Sequence, residues 1–341
     1  MASRSRVSWL TVVAALASAL IAVAFPGAGA QAKQLRDTGA VLTSDAEPGY
    51  VSLLLGRANW SVASGTDCQT RYSGALTMED IAQDLSSRGV TATAQAVVTR
   101  TLETTRFCQG YVEMASWQDL RRMQDVYGWS VTSQGMTYAD MTQMTSDEQR
   151  FQESAATVAI FAAHGFPRAW GSFAFANNKQ DPAALALVQK YFGFLRIYGM
   201  QPNTRPSATT APFRMLTWSI NGGRCRNPSL PCATMAVTAN RQMAERTRLQ
   251  AAMNPAPGEW SVIQIYRLVQ GRQGRIGDKF AWDCEASDWR DRWTSQPEIY
   301  CRTSFLEALD GRSRTAIFTD PATMAQLWDR VPEDYLGWPR P

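Results

Sequence analysis

Two rhythms of apolar and polar positions alternate from Gly49 to Val331. Short, nearly continuous apolar runs recur at Tyr50–Leu55 (YVSLLL), Val90–Thr99 (VTATAQAVVT), Trp129–Thr132, Ala169–Phe175, Phe192–Tyr198, Met215–Ile220, Trp260–Val269 (WSVIQIYRLV) and Thr315–Phe318. Runs of this length, rich in β-branched and aromatic residues and bounded by turn residues, predict buried strands. Between them the apolar residues recur every third or fourth position. Thr77-Met78-Glu79-Asp80 predicts a helix start, with a stop at Ser87–Gly89, and Trp117, Leu120, Met123 and Val126 mark one face of a second helix from about Ser116. Ser146 and Gln149 have capping-box spacing, and Phe151, Ala155, Val158 and Ala162 predict one apolar face before a stop at Gly165. Helices are also predicted over Pro182–Tyr191, residues 236–253, Ser304–Leu309 and Pro321–Val331, with a Pro-broken loop over residues 199–213. About seven or eight strand–helix alternations in one domain predict a parallel sheet with helices outside it, as a (β/α) barrel or an open doubly wound sheet.

The first thirty of the 341 residues stand apart. Arg4 and Arg6 precede an uncharged apolar run from Val7 to Phe25, and Pro26-Gly27 with small residues near Ala30 completes an expected signal peptide. An uncleaved membrane anchor is the alternative. Residues 31–48 form an irregular lead-in to a domain over residues 49–335. Cleavage would remove two arginines and no acid, reducing a formal net charge of only +4. That balance does not support a nucleic-acid or anionic-membrane partner. All six cysteines follow the leader, as in a secreted disulfide framework. The sequence-local pairing Cys68–Cys108, Cys225–Cys232 and Cys284–Cys301 is expected. Zinc is disfavoured, because there is no Cys-x-x-Cys and His164 is the only histidine. The expectation is therefore a secreted or extracytoplasmic chain with a disulfide-bearing excursion near residues 221–235 and a Trp-rich loop near 271–301.

The stretch Gly128–Thr145, GWSVTSQGMTYADMTQMT, carries the strongest chemical signal. A short strand ends there in a polar turn, where α/β proteins place ligand-binding groups. The segment YGWSVTSQGMTYADMTQMTSDEQ, followed by HGFPRAWGSFAFANN and the elements from Pro182 to Tyr198, resembles the NodB-type polysaccharide deacetylases, carbohydrate esterase family four. The resemblance runs from near Tyr50 to about Val331. It implies a distorted (β/α) barrel of about seven parallel strands and a polysaccharide or oligosaccharide partner. In that family an Asp and two His hold a divalent metal that acidifies water, and a second Asp is the base.

The motif positions of this chain carry other residues. Leu54-Leu55-Gly56-Arg57-Ala58 stands where the resemblance implies two acids, Gln134 and Tyr138 stand at the two His positions, and Tyr266 replaces a late His. Asn177 and Asn178 fall where a third motif ends. No metal or other cofactor is therefore expected, and His164, at a helix end, has an ordinary structural reading. Three function classes follow. The first is a non-catalytic barrel whose Arg57, Gln134, Tyr138, Asn177 and Tyr266 bind sugar, with tryptophans either stacking on it or packing the disulfide region. The second is an enzyme of altered chemistry, with Arg57 stabilising an oxyanion and Asp140, Asp283 or Glu113 as acid or base. Asp140 is read chiefly as a turn cap. The third is an envelope protein that binds partners without a cleft at the strand ends.

Overall fold

The computed structural model describes residues 47–64, 68, 70–71, 76–110, 112–199, 201–205, 214–220, 247–269 and 299–332. In chain order these form β1 (Tyr50–Leu55), β2 (Asn59–Ser64), β3 (Thr70–Arg71), α1 (Met78–Ser86), β4 (Thr93–Ala96), β5 (Phe107–Gln109), β6 (Val112–Met114), α2 (Trp117–Tyr127) and β7 (Ser130–Ser133). Then come α3 (Asp147–Glu153), α4 (Ala156–Ala163), β8 (Ser172–Ala174), α5 (Pro182–Val188), β9 (Phe194–Tyr198), β10 (Asn203–Thr204), β11 (Arg214–Ile220) and β12 (Glu259–Ile265). The chain continues through β13 (Arg267–Val269), β14 (Ile299–Cys301), α6 (Arg302–Asp310), β15 (Ile317–Phe318) and α7 (Pro321–Leu327).

β1, β4, β7, β8, β9, β11 and β12 are parallel neighbours in that order, and β12 pairs again with β1 along its whole length, Tyr50↔Trp260 to Leu55↔Ile265. Seven parallel strands thus close into the expected barrel. The continuous apolar runs have a simple cause: a parallel strand covered on both faces has no polar side to show. All six residues of β1 are buried. The helices are equally well specified. Thr77 and Ser116 cap α1 and α2 through complete capping boxes with Asp80 and Asp119.

A period of two places Phe194, Arg196 and Tyr198 on one face of β9, and Trp260, Val262 and Gln264 on one face of β12. These strands are separated by β11, so contacts between them cross the barrel interior. Near the strand starts, the Phe194 and Trp260 rings lie 4.8 Å apart, and Trp328 meets Trp260 edge-on at 5.5 Å. Trp260 Nε1 donates to Ser52 Oγ at 2.9 Å, so this buried indole is satisfied within an apolar floor.

Several expected boundaries differ. The single helix predicted to run to Gly165 is two, broken at Ser154, whose hydroxyl bonds back to the Arg150 carbonyl at 2.7 Å and whose backbone is distorted to φ −117°, ψ −78°. Ser146 caps α3 as expected, but the Gln149 amide oxygen accepts from Thr145 N–H and not from the cap residue itself. The strand over Ala169–Phe175 shrinks to Ser172–Ala174, because Ala169–Gly171 forms a 3-10 turn. The run Trp260–Val269 ends its barrel pairing at Ile265, and β13 pairs with β14 instead. Asn59–Ser64, outside every expected strand, is a strand of a small antiparallel sheet ordered β3–β2–β6–β5.

That small sheet carries Cys68 and Cys108. The expected bond between them is not formed in this structure: both are free thiols. They are neighbours nonetheless. Burial first, and then the Cys108 thiol beside it, push Cys68 up to about 12. Cys68 also donates to the Val112 carbonyl at 3.3 Å. Cys225, Cys232 and Cys284, the leader, most of the expected helix over 236–253 and most of the Trp-rich loop lie outside the described residues, and Cys301 falls in β14.

Candidate barrel-mouth site

The turns that follow β1, β4, β7, β8, β9 and β12 meet at the C-terminal mouth of the barrel. Gly56 begins the first of them, and a Cβ there would come within 2.5 Å of the Tyr266 ring and 2.7 Å of Gln264 Nε2. Only glycine lets Tyr266 close over the end of β1. The chain then enters the left-handed region at Arg57 and Ala58. Among the described residues seven non-glycine positions have positive φ, and five of them (Arg57, Ala58, Tyr138, Asn177, Asn178) lie in the turns after β1, β7 and β8. Each costs about 1–3 kcal/mol and persists only where surrounding contacts fix it, so such positions gather at functional sites.

The contacts that fix them are specific. Arg57 N–H donates to Gln134 Oε1 at 2.9 Å, joining the first and third turns. The Arg57 guanidinium carbon lies 5.6 Å from the Tyr138 ring centre and 5.8 Å from that of Tyr266. Asn177 N–H donates to Tyr138 Oη at 3.3 Å. The five positions expected to form one site, Arg57, Gln134, Tyr138, Asn177 and Tyr266, are therefore one connected set.

Asp140 is placed differently. Its Oδ1 accepts from Thr142 N–H and Oγ1, and its Oδ2 pairs with Lys179 Nζ at 2.7 Å. The hydrogen bond from Lys179, with those from Thr142, holds the carboxyl below the usual range. It is a charged cap, not a free acid or base. Glu113 accepts from Ser61 in the small sheet, and Asp283 lies outside the described residues. His164 stacks on Trp117 with centroids 4.0 Å apart, at the end of α4 and away from the mouth.

Several further residues escaped the sequence reading. Tyr198 Oη and Tyr266 Oη are 2.6 Å apart. Beneath them Arg196, 1% exposed, donates to Gln264 Oε1, and Gln264 Nε2 donates to Gln95 Oε1 at 3.1 Å. The guanidinium fixes the orientation of both amides, since it can only donate. Among the described residues Arg196 has no carboxylate within ion-pair distance. Burial works against its charge, but the phenols of Tyr266, Tyr198 and Tyr138 outweigh burial and raise it above the ordinary value. Arg100, after β4, lies 5.1 Å from the Tyr138 ring and bonds Gln109 Oε1. Burial and then the neighbouring Arg57 charge lower it. Glu153 is the hidden organiser: its buried carboxylate accepts from Thr137 N–H, Thr137 Oγ1 and Ala139 N–H, gripping both sides of Tyr138. Gly135 leaves the space for it, a Cβ there falling 2.5 Å from Glu153 Oε1.

A divalent metal does not fit this set. A guanidinium stands between Tyr138 and Tyr266, the Gln134 oxygen is committed to Arg57 N–H, and the Tyr138 oxygen accepts from Asn177. Among the described residues no group of three or more His, Cys, Asp or Glu is placed to hold a metal. The arrangement offers donors and aromatic faces, which suit oxygen-rich or anionic ligands.

No family model matches the sequence, and no curated protein matches it. Solved structures do. A probable polysaccharide deacetylase from Pseudomonas aeruginosa PAO1 is 12% identical, with 83% of this chain and 92% of that one covered and a TM-score of 0.44. The chitin deacetylase of the fungal pathogen Colletotrichum lindemuthianum is 10% identical, covering 85% and 91%, with a TM-score of 0.41. An allantoinase, 11% identical over 83% and 90% of the two chains, scores 0.39. Likeness at this level says nothing of the chemistry at the mouth.

Proposed function

We propose that this chain is an exported, polysaccharide-deacetylase-like barrel that binds saccharide at its mouth without the metal-dependent mechanism of that family. The observation that carries the reading is the concentration of left-handed backbone in three turns that bring Arg57, Gln134, Tyr138, Asn177 and Tyr266 together. Strain of that kind is kept where a ligand is met. Half-exposed Tyr198 and part-exposed Tyr138 offer flat apolar faces with polar edges, and the arginines at the mouth offer hydrogen bonds, which together match a sugar ring.

Binding is favoured over altered catalysis by the state of the acids. Glu153 is consumed by the turn and Asp140 by its cap and Lys179, so neither is poised toward a ligand among the described residues. A partner-binding role with no cleft is disfavoured by the convergence of the turns. Export is inferred from the leader, and in an oxidising compartment the neighbouring Cys68 and Cys108 thiols would bridge; a loss of two hydrogens per bridge in the intact mass of the secreted protein tests that.

The deciding experiment for function has two readouts on the purified full chain. Calorimetry against neutral chito- and xylo-oligosaccharides should show binding. Acetate release from acetylated forms should stay at background with and without added Zn²⁺ or Co²⁺. Metal-stimulated acetate release would overturn the reading.

A further inference from the structure

The small antiparallel sheet borders the mouth, and two thiols meet inside it. β5 is its outer strand, three residues long and paired among the described residues only with β6. A strand held by so few bonds is among the first parts of a fold to open. Cys108 lies at the centre of β5, opposite Glu113, and Gln109 lies opposite Val112. Buried Cys68 sets its thiol against the same hairpin, 3.3 Å from the Val112 carbonyl oxygen, 3.6 Å from that of Gly110 and beside the Cys108 thiol. Its backbone is left-handed, with φ 56°, a strained conformation for a residue with a side chain.

The residue beside Cys108 connects this hairpin to the mouth. Gln109 Oε1 accepts from Arg100 Nη1 at 2.9 Å. Arg100 Nη2 in turn donates to the Thr137 carbonyl at 3.4 Å, and its guanidinium carbon lies 5.1 Å from the Tyr138 ring centre. The backbone just before Arg100 grips the same turn, Val98 N–H donating to the Gly135 carbonyl at 3.1 Å and Thr99 N–H to that of Met136 at 2.9 Å. On its other side the sheet joins the first turn, where Ala115 N–H donates to the Ala58 carbonyl at 2.9 Å. Contacts therefore run unbroken from Cys108 through Gln109 and Arg100 to Tyr138.

We propose that Cys68 and Cys108 form a thiol–disulfide site that braces the barrel mouth: oxidation locks β5 and with it the Gln109–Arg100–Tyr138 contacts, and reduction loosens both. The proposal rests on the export and saccharide readings and adds to them a redox dependence of the mouth. The reaction is exchange with a small-molecule or protein disulfide. Cys68 is held protonated by burial, so the first attack falls to half-exposed Cys108. That attack breaks the S–S bond of the oxidant and forms a mixed disulfide, from which Cys68 displaces the second thiol. Two S–H bonds are lost, one S–S bond joins Cys68 to Cys108, and the oxidant leaves as two thiols carrying both protons and both electrons.

The test compares the full chain, oxidised with glutathione disulfide, with a Cys68→Ser, Cys108→Ser variant treated alike, which keeps Cys225, Cys232, Cys284 and Cys301. Peptide mapping of the oxidised wild type should show the Cys68–Cys108 link. Amide exchange at Val98 and Thr99 should be about tenfold or more slower in the linked protein than in the variant or the reduced wild type. Affinity for a neutral chito- or xylo-oligosaccharide should be about threefold or more tighter in the linked form. Gln109→Leu should make the linked protein exchange and bind like the unlinked one, because it cuts the contact between β5 and Arg100. Absence of the link, or a link that slows exchange only within β5 and β6, would overturn the brace and keep the saccharide reading. Equal oligosaccharide affinity in the two forms, or a redox effect that survives Gln109→Leu, would overturn the coupling through Arg100. Slowed exchange at Val98 and Thr99 with no oligosaccharide bound by either form would keep the brace and overturn the saccharide reading.

Discussion

The same two strands make opposite ends of the barrel. At their starts β9 and β12 contribute Phe194 and Trp260, which pack on each other and on Trp328, with the Trp260 indole N–H bonded to Ser52. Two residues further on, β9 offers Arg196, and the next inward position on β12 after Val262 is Gln264; above them Tyr198 meets Tyr266. The floor is apolar and aromatic. The mouth is phenolic, rich in arginine and amide groups, and strained in its turns. Catalytic and binding groups of parallel barrels gather at the C-terminal face and stability at the other, and here that division is written along single strands.

The largest expected effect breaks the floor. Trp260→Ala removes a fully buried indole from a closed aromatic cluster and should cost about 3–5 kcal/mol, seen as an earlier midpoint in urea unfolding. Saccharide affinity, measured well below that midpoint, should be unchanged. If it falls by more than about threefold, floor and mouth are not separable in this way.

Glu153→Gln comes next and tests the boundary between the two roles. The substitution keeps the shape and one acceptor oxygen for Thr137 N–H and Ala139 N–H, but it removes the charge and puts an NH₂ where the second oxygen accepts from Thr137 N–H and Oγ1. Losing these charge-assisted bonds in a buried turn should cost about 1.5–3 kcal/mol. It should also weaken saccharide binding, because Tyr138 lies between the two residues Glu153 holds. Loss of stability with full binding would mean that the turn keeps its form without Glu153.

Arg57→Gly should separate the roles in the reverse sense. Glycine adopts φ near 57° without strain, so stability should hold or rise by up to about 1 kcal/mol, while saccharide affinity falls at least tenfold with the side chain. A stability gain paired with lost binding is the expected signature of a mouth residue. Equal losses in both would assign Arg57 to the scaffold.

Much of this was legible beforehand, and the exceptions share causes. The barrel strands were readable because both faces are buried, so each run stands out without alternation. Arg57, Gln134, Tyr138, Asn177 and Tyr266 were readable because the resemblance fixes which strand ends meet. Arg196 was not, since in FLRIY one charged residue within an apolar run reads as an outward position until the strand's neighbours are known. Glu153 and Arg100 were missed because their importance lies in contacts with turns about 14–53 residues away, which no local pattern records. The small sheet was lost for the same reason: Asn59–Ser64 is too short and polar to stand out as a strand until β6 pairs with it.

The smallest effect concerns His164, which belongs to neither end of the barrel. Burial holds its pKa below the ordinary 6.5, the Glu103 carboxylate opposes that, and Arg121 adds to it. A histidine that is harder to protonate when folded binds fewer protons than the unfolded chain in the window just below pH 6.5, so its contribution is complete above that pH and declines as pH falls through the window. His164→Gln should flatten this slight acid-side decline in unfolding midpoint between about pH 7 and 5. Trp117, stacked 4.0 Å from the imidazole, supplies an optical check, since its fluorescence in the folded protein should change as His164 gains its proton. Saccharide binding should show no step tied to His164, because His164 and Trp117 lie on the outer helices and Glu103 pairs with Arg121 of α2. A His164-dependent step in affinity over the same range would couple the outer helices to the mouth and blur the contrast drawn along β9 and β12.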